Sequence, residues 1–392
     1  PLYPEQEYYP LSYSHKIMYM LYLKNPSDTS YNMPFVLKLK GKVDIEVILR
    51  CFQEIYENHD VFRSSFFCIE GEFRQRIEQK PLFIERIKKE EEGAELRWKQ
   101  LMERHYDLEK DSLLRIVVFE EKLGEEYRIL LGMHHIISDG SSLGIICQEF
   151  IQRYRGIKPE KAKIQYKDYA LWQNSLSFQE EEKFWLEEIK DYPTLSLPID
   201  STTKGEKDGG EKLFFSLEED LYQRAKEFCH KEGGCSLFVF FAAIYQLTLA
   251  IFTSSEDVIF GTAIAGRTAK ETENMVGMFV NVLPIRGQLK LEDSFLEYIK
   301  KCKEKILKVL QYQDYPFDLL VEKGLRKRGG NENPFFSTVF AFQNMKIPSL
   351  YFEDFTIELS NQDERAKFVV AFEKLEKDTA KDYRKYVAIA LE

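Results

Sequence analysis

The sequence predicts an α/β fold, in the broad α+β sense, built as two halves. Three observations carry this. Segments with apolar residues at helical spacing are interleaved with shorter runs of strand character. A stretch rich in Pro, Gly and charge, "LSLPIDSTTKGEKDGGEK" (195–212), separates two such sets. The second set repeats the class of the first, with no short-period repeat inside either. The division adopted from these patterns is 1–175 and 176–392.

In the first half, "SYSHKIMYMLYL" (12–23) has a helical pattern and "FVLKLKGKV" (35–43) alternates like a strand. "DIEVILRCFQEIYENHD" (44–60) opens with an aspartate cap before a helical face. "FRSSFFCIEGEFRQRI" (62–77) is a hairpin turning at Glu70-Gly71, and 93–106 is a helix. Residues 112–135 form two strands around a Leu123-Gly124 turn. "SSLGIICQEFIQRYR" (141–155) sets Leu143, Ile146, Cys147, Phe150 and Tyr154 on one helical face. Two amphipathic helices, "QYKDYALWQNSL" and "SFQEEEKFWLEEIKDYP", lead into the boundary loop. Beyond it, 214–234 is a strand entering a helix, and 236–254 is a strongly apolar core helix. "DVIFGTAIAG" is a strand, 295–313 a helix, and "FSTVFAFQN" and "FTIELSN" are strands.

The chain has 392 residues with 44% hydrophobic content, enough for two sizeable cores. A net charge of −10 and short basic clusters such as "LRKRGG" argue against a nucleic-acid surface. None of the six cysteines forms a CxxC pair, and several fall in apolar helical patterns. Buried free thiols in a reducing, cytoplasmic compartment are expected. No apolar run approaches the roughly 20 residues of a membrane span, and the opening "PLYPEQEYYPLSYSHK" does not read as a signal peptide.

"LLGMHHIISDGSSLG" (130–144) contains two of the six histidines, side by side. Strand alternation would send His134 and His135 to opposite faces, which disfavours a shared metal. The pair could be two satisfied structural histidines, or one site residue braced by its neighbour. Asp139 could orient a histidine, cap a helix or anchor a salt bridge. A sharp turn aims it back into its own domain, so the anchor reading ranks above the orienter. Gly140 suggests a backbone angle that other residues reach poorly. No Gly-x-Ser-x-Gly elbow, Walker loop or Rossmann fingerprint is present, and nothing marks Ser138, Ser141 or Ser142 as a nucleophile. A histidine without an enzyme nucleophile suits acyl transfer from an already activated donor.

"MHHIISDG" (133–140) resembles the His-His-x-x-x-Asp-Gly signature of condensation domains from nonribosomal peptide synthetases. Further matches follow in family order: "LSYSHKIMYML" (with His15 where glutamine is usual), "NHDVFRSSF", "YKDYALWQ", "VGMFVNVLPIR", "YQDYPFDLLVE" and "NPFFSTVFAFQN". The resemblance implies two chloramphenicol-acetyltransferase-like lobes in a V-shaped pseudo-dimer with a central tunnel. It implies no cofactor bound by the domain itself. Upstream and downstream peptidyl carrier proteins would deliver phosphopantetheine arms, next to an adenylation domain in a multidomain synthetase. The excised domain would be monomeric.

By this resemblance His135 orients or deprotonates the attacking amine, and His134 is structural. Asp139 forms a salt bridge with Arg267 or Arg286. The Gly140 N–H is an oxyanion donor, Arg63 is structural, and Ser138, Ser141 and Asn344 line the tunnel. Ser141 stands where tryptophan or valine is frequent. Ser138 and "YNMPF" (31–35) look most like the subclass joining an L-configured donor to an L-configured acceptor; a starter subclass with a fatty-acyl donor is the variant. An epimerisation domain and a silent recruitment domain are the other readings. Near the end, Val369 stands where the family has aspartate, and the chain stops one helix early, which suggests a trimmed or engineered terminus.

Overall fold

The computed structural model describes residues 3–160, 162–192, 211–215, 217–290, 292–328, 335–336, 338–343, 352, 354–359, 368–372 and 385–390. They fall into two compact units. The first takes Pro1–Leu176, Arg267–Phe279 and Met345–Asp363; the second takes Ser177–Gly266, Val280–Asn344 and Glu364–Glu392. Two segments that the sequence division placed in the second half therefore pack in the first unit.

The first unit is built on a five-stranded sheet, ordered Phe355–Leu359, Asn32–Gly41, Glu126–His134, Leu114–Lys122, Phe83–Lys88. Its middle is the hairpin read from sequence, with Gly124 at φ 74° in the turn, where a side chain would be strained. Ile116 to Phe119 and Ile129 to Leu131 are buried on both faces of these strands. Such runs read as continuous rather than alternating because the sheet is covered on both sides. Trp98 and Leu101, from helix Ala94–Glu103, pack on Val117, Phe119 and Leu130. Helices Ile45–Asn58 and Gly140–Tyr154 meet through stacked Phe52 and Phe150 rings, 4.9 Å apart. The Asp44 cap is present, its carboxylate accepting from the Glu46 and Val47 N–H groups.

Strand Phe83–Lys88 was not anticipated. It is a parallel edge strand on Leu114–Lys122, half exposed, and its apolar residues Phe83, Ile84 and Ile87 break the period of two. The hairpin at Glu70-Gly71 forms as expected, Glu70 at φ 52° and Gly71 at φ 83°.

The second unit has a four-stranded sheet, ordered Asn281–Gln288, Asp257–Ile264, Thr338–Gln343, Lys385–Ala390. A two-stranded sheet joins Glu211–Phe215 to Phe368–Phe372, with Val369 opposite Phe214. Helix Leu237–Thr253 joins the core with Trp185, Phe260, Ile285, Ile306 and Phe340. Asn281 ties the start of its strand to the "YQDYPFD" loop: its amide donates to the Gln313 and Tyr315 carbonyls, both at 2.9 Å, and its oxygen accepts from the Phe317 N–H. The boundary loop 195–212 lies outside the described residues apart from 211 and 212. All six cysteines are free; Cys68 is exposed, against the expectation of burial, because it faces solvent on a hairpin strand. Among the described residues no single helix is long and apolar enough to cross a membrane.

Candidate active site

Strand Glu126–His134 ends at the first histidine, and His135–Ile137 is one turn of 3-10 helix. The two histidines part because the strand stops between them, not because alternation continues. His134 is buried, its ring edge-on to Tyr106, and its Nδ1 accepts from the Ile136 N–H at 3.1 Å. Burial, reinforced by the neighbouring His135, pushes its pKa down to about 3. It stays neutral and braces the turn.

His135 is half-exposed. Its N–H donates to the Tyr31 carbonyl at 2.8 Å, which ties the turn to the strand beginning at Asn32. Its Nδ1 lies 2.8 Å from the Ser138 carbonyl oxygen. A carbonyl only accepts, so Nδ1 carries the proton and, in the neutral ring, Nε2 presents a lone pair. The backbone fixes the tautomer, and no carboxylate is needed to do it.

Asp139 has a different task. It caps helix Gly140–Tyr154, its Oδ1 accepting from the Ser142 N–H at 2.8 Å. Arg267 Nη2 reaches both carboxylate oxygens, at 2.9 and 3.1 Å, and the Phe279 N–H donates to Oδ2 at 3.2 Å. Arg267 also donates through Nη1 to the Thr272 and Met275 carbonyls and lies over the Phe279 ring, 4.1 Å from its centroid. The other candidate, Arg286, is not at this site. It is bound to Asp257 (Nη2–Oδ2 2.6 Å), the diagonal neighbour across the antiparallel pair in which Arg286 faces Ile259.

Ser142, which sequence reasoning did not assign a role, completes the anchor. Its hydroxyl is 2.8 Å from Asp139 Oδ1 and 3.0 Å from the Gly277 carbonyl, and it accepts from the Gly277 N–H and Arg267. Tyr166, fully buried, hydrogen-bonds Ser12 at 2.8 Å and donates to the Met278 carbonyl. Its ring lies against Gly277 so closely that a Cβ there would come within 1.9 Å of a ring carbon. Gly277→Ala is therefore expected to destabilise the chain by about 3 kcal/mol or more. Denaturant unfolding would show this as a lowered midpoint, and an unchanged midpoint would contradict the contact.

The remaining expected residues divide by burial. Ser138 is fully buried, so its side chain lines no accessible surface; its contribution is the carbonyl that holds His135. Gly140 and Ser141 are partly exposed at the helix start, where first-turn N–H groups have no acceptor inside the helix. Gly140 is not in the left-handed region, contrary to the backbone reading, because it begins a regular helix. Asn344 lies outside the described residues. Arg63 pairs with Asp60 at 2.6 Å, and the preceding His59 with Glu149 at 2.8 Å. Burial opposes ionisation of Glu149, but the His59, Arg153 and Asn58 contacts outweigh it and hold the carboxyl below its usual range. Among the described residues no group of three His, Cys, Asp or Glu could hold a metal ion.

His15 lies under the site, edge-on to Phe66 and 4.4 Å from the Tyr166 ring. Burial drives its pKa from 6.5 to about 3 against the opposing Ile136 backbone. Between those values the unfolded chain binds protons that the folded chain does not, at His15 and at His134 alike. Stability therefore falls as pH drops below 6.5. By pH 5 the loss is about 2 kcal/mol per histidine. Unfolding midpoints across pH 7 to 5 should fall for the native chain and about half as steeply for His15→Gln; parallel slopes would contradict this.

The motifs at 11–21, 58–66 and 166–173 thus share one unit with the histidine turn, with Arg267–Phe279 supplied from far along the chain, whereas "YQDYPFDLLVE" belongs to the second unit. A family model described as the condensation domain matches residues 5–382. The chain belongs to the condensation-domain family. It is 34% identical over 382 residues to bacitracin synthase 3 of Bacillus licheniformis, covering 96% of this chain and 6% of that one. It is 33% identical over 380 residues to surfactin synthase subunit 2 of Bacillus subtilis (strain 168), covering 95% and 10%. This condensation domain therefore spans a small part of the curated relatives it matches.

Among solved structures, the condensation domain from the Monacolin K polyketide synthase MokA superposes with a TM-score of 0.81 at 20% identity, over 99% of this chain and 90% of that one. The X-domain from teicoplanin biosynthesis gives 0.80 at 17% identity, over 99% and 87%. At these identities the likeness is one of fold, the mixed helix-and-sheet architecture described above.

Proposed function

We propose that this condensation domain forms an amide bond between two thioesters carried on phosphopantetheine arms. An upstream peptidyl carrier protein would bring the acyl or peptidyl donor, and a downstream one the aminoacyl acceptor, in a synthetase that also contains an adenylation domain. The observation that carries this reading is the 2.8 Å contact of His135 Nδ1 with the Ser138 carbonyl, which leaves Nε2 of the neutral ring as an acceptor on a half-exposed turn.

In this reading the acceptor amine hydrogen-bonds to Nε2 and attacks the thioester carbon. The C–N bond forms as the carbonyl electrons move to oxygen, collapse of that tetrahedral oxyanion breaks the C–S bond, and the proton lost by nitrogen passes through Nε2 to the departing thiolate. The Gly140 N–H, at the positive end of its helix, would stabilise the oxyanion. No enzyme nucleophile is required, because the donor is already activated. Asp139 and Arg267 hold the turn and the helix start in place.

The test is a donor carrier loaded with a peptidyl thioester mixed with an acceptor carrier loaded with an aminoacyl thioester. Elongation on the acceptor supports condensation. Inverted configuration without transfer would mean epimerisation, and binding without either would mean recruitment; each of these would overturn the proposal.

A further inference from the structure

The second unit contains a cavity of about 400 Å³ that the chemistry proposed above does not use. Small residues create it: Ala242 and Ala243 on helix Leu237–Thr253, and Gly287 on strand Asn281–Gln288. Phe184, Phe260, Ile285 and Ile306 give it apolar walls. At its floor lies the buried Gln246 amide, whose oxygen accepts from the Tyr298 hydroxyl at 3.0 Å and the Cys302 thiol at 3.6 Å. Its nitrogen gives one hydrogen to the Val258 carbonyl at 3.3 Å. An amide nitrogen has two, so among the described residues a second donor remains. Gly287 has no room for a side chain, since a Cβ would sit 2.3 Å from this amide.

The charges lining the cavity nearly cancel. Arg286 is paired with Asp257, Lys301 with Asp293 and Lys305 with Glu188, while Glu187 has Lys190 at 3.8 Å. Lys308 is left over: its ammonium lies 5.6 Å from the Phe184 ring centroid and has no carboxylate partner among the described residues. The lining therefore combines apolar walls, a spare buried N–H and one uncompensated positive charge.

We propose that this cavity binds an amphipathic monocarboxylate, a medium-chain fatty acid or an aryl acid. At interior packing density the space suits roughly ten to twenty non-hydrogen atoms. The apolar body would fill the space between the helices, and the carboxylate would neutralise Lys308. The inference does not depend on the reaction assigned to His135.

Titration calorimetry of the intact chain with octanoate tests it, with octylammonium as the control of opposite charge. Octanoate is expected to bind saturably at one site and octylammonium not to. Lys308 is exposed, so Lys308→Glu should fold with an unchanged thermal midpoint without ligand, yet bind octanoate at least roughly tenfold more weakly. Absence of saturable octanoate binding, equal binding of octylammonium, or unchanged affinity in Lys308→Glu would each overturn the proposal.

Discussion

Asp139→Ala is expected to lose about 3–5 kcal/mol of stability, a large share of what a domain has to spare. The carboxylate is almost fully buried and accepts from Ser142, Arg267 and the Phe279 N–H. Removing it leaves the Arg267 guanidinium buried with backbone carbonyls and a hydroxyl but no counter-charge. It also removes a helix cap, worth about 1 kcal/mol. A fall of roughly 5–10 °C in the thermal midpoint is the expected reading. Asp139→Asn can still accept the Ser142 cap hydrogen bond while losing the charge, so it should fall between alanine and the native residue. Asp139→Ala combined with Arg267→Ala should cost less than the sum of the two single changes, because the second removes the charge that the first strands. A stable but inactive Asp139→Ala would contradict the anchor and point to direct chemistry.

Much of this was legible in the sequence, and the gaps have physical causes. The central hairpin, the capped helix after the histidines and the long apolar helix each carry a local period, so they could be read one at a time. Strand Phe83–Lys88 could not, because Ile84 on its exposed side and Glu85 on its covered side break the apolar alternation, although its burial alternates. Alternation was expected to send His134 and His135 to opposite faces; they differ in burial instead because the strand ends at His134. The partner of Asp139 was narrowed to two arginines and no further. Both follow apolar strand-like runs, and what separates them is register: Arg286 faces Ile259 beside Asp257, whereas Arg267 lies past the strand end. Gly140 suggested a special backbone angle, yet the glycine beside the Asp139 anchor that has no room for a side chain is Gly277, against Tyr166. The Ser142 anchor left a faint trace, a serine three residues after a capping aspartate, but its partner Gly277 is 135 residues away. Local pattern carries no information about such a pairing.

The central claim is that His135 Nε2 receives the proton of the acceptor amine, and one comparison bears on it most directly. The native chain and His135→Ala are each mixed with a loaded donor carrier and a loaded acceptor carrier, and the mass of the acceptor is followed with time. The substitution removes a half-exposed ring whose Nδ1 bond is local, so it should cost about 1 kcal/mol of stability and leave the fold intact. Loss of a positioned base lowers transfer by roughly 100-fold or more. A folded His135→Ala that elongates the acceptor as fast as the native chain would contradict the assignment.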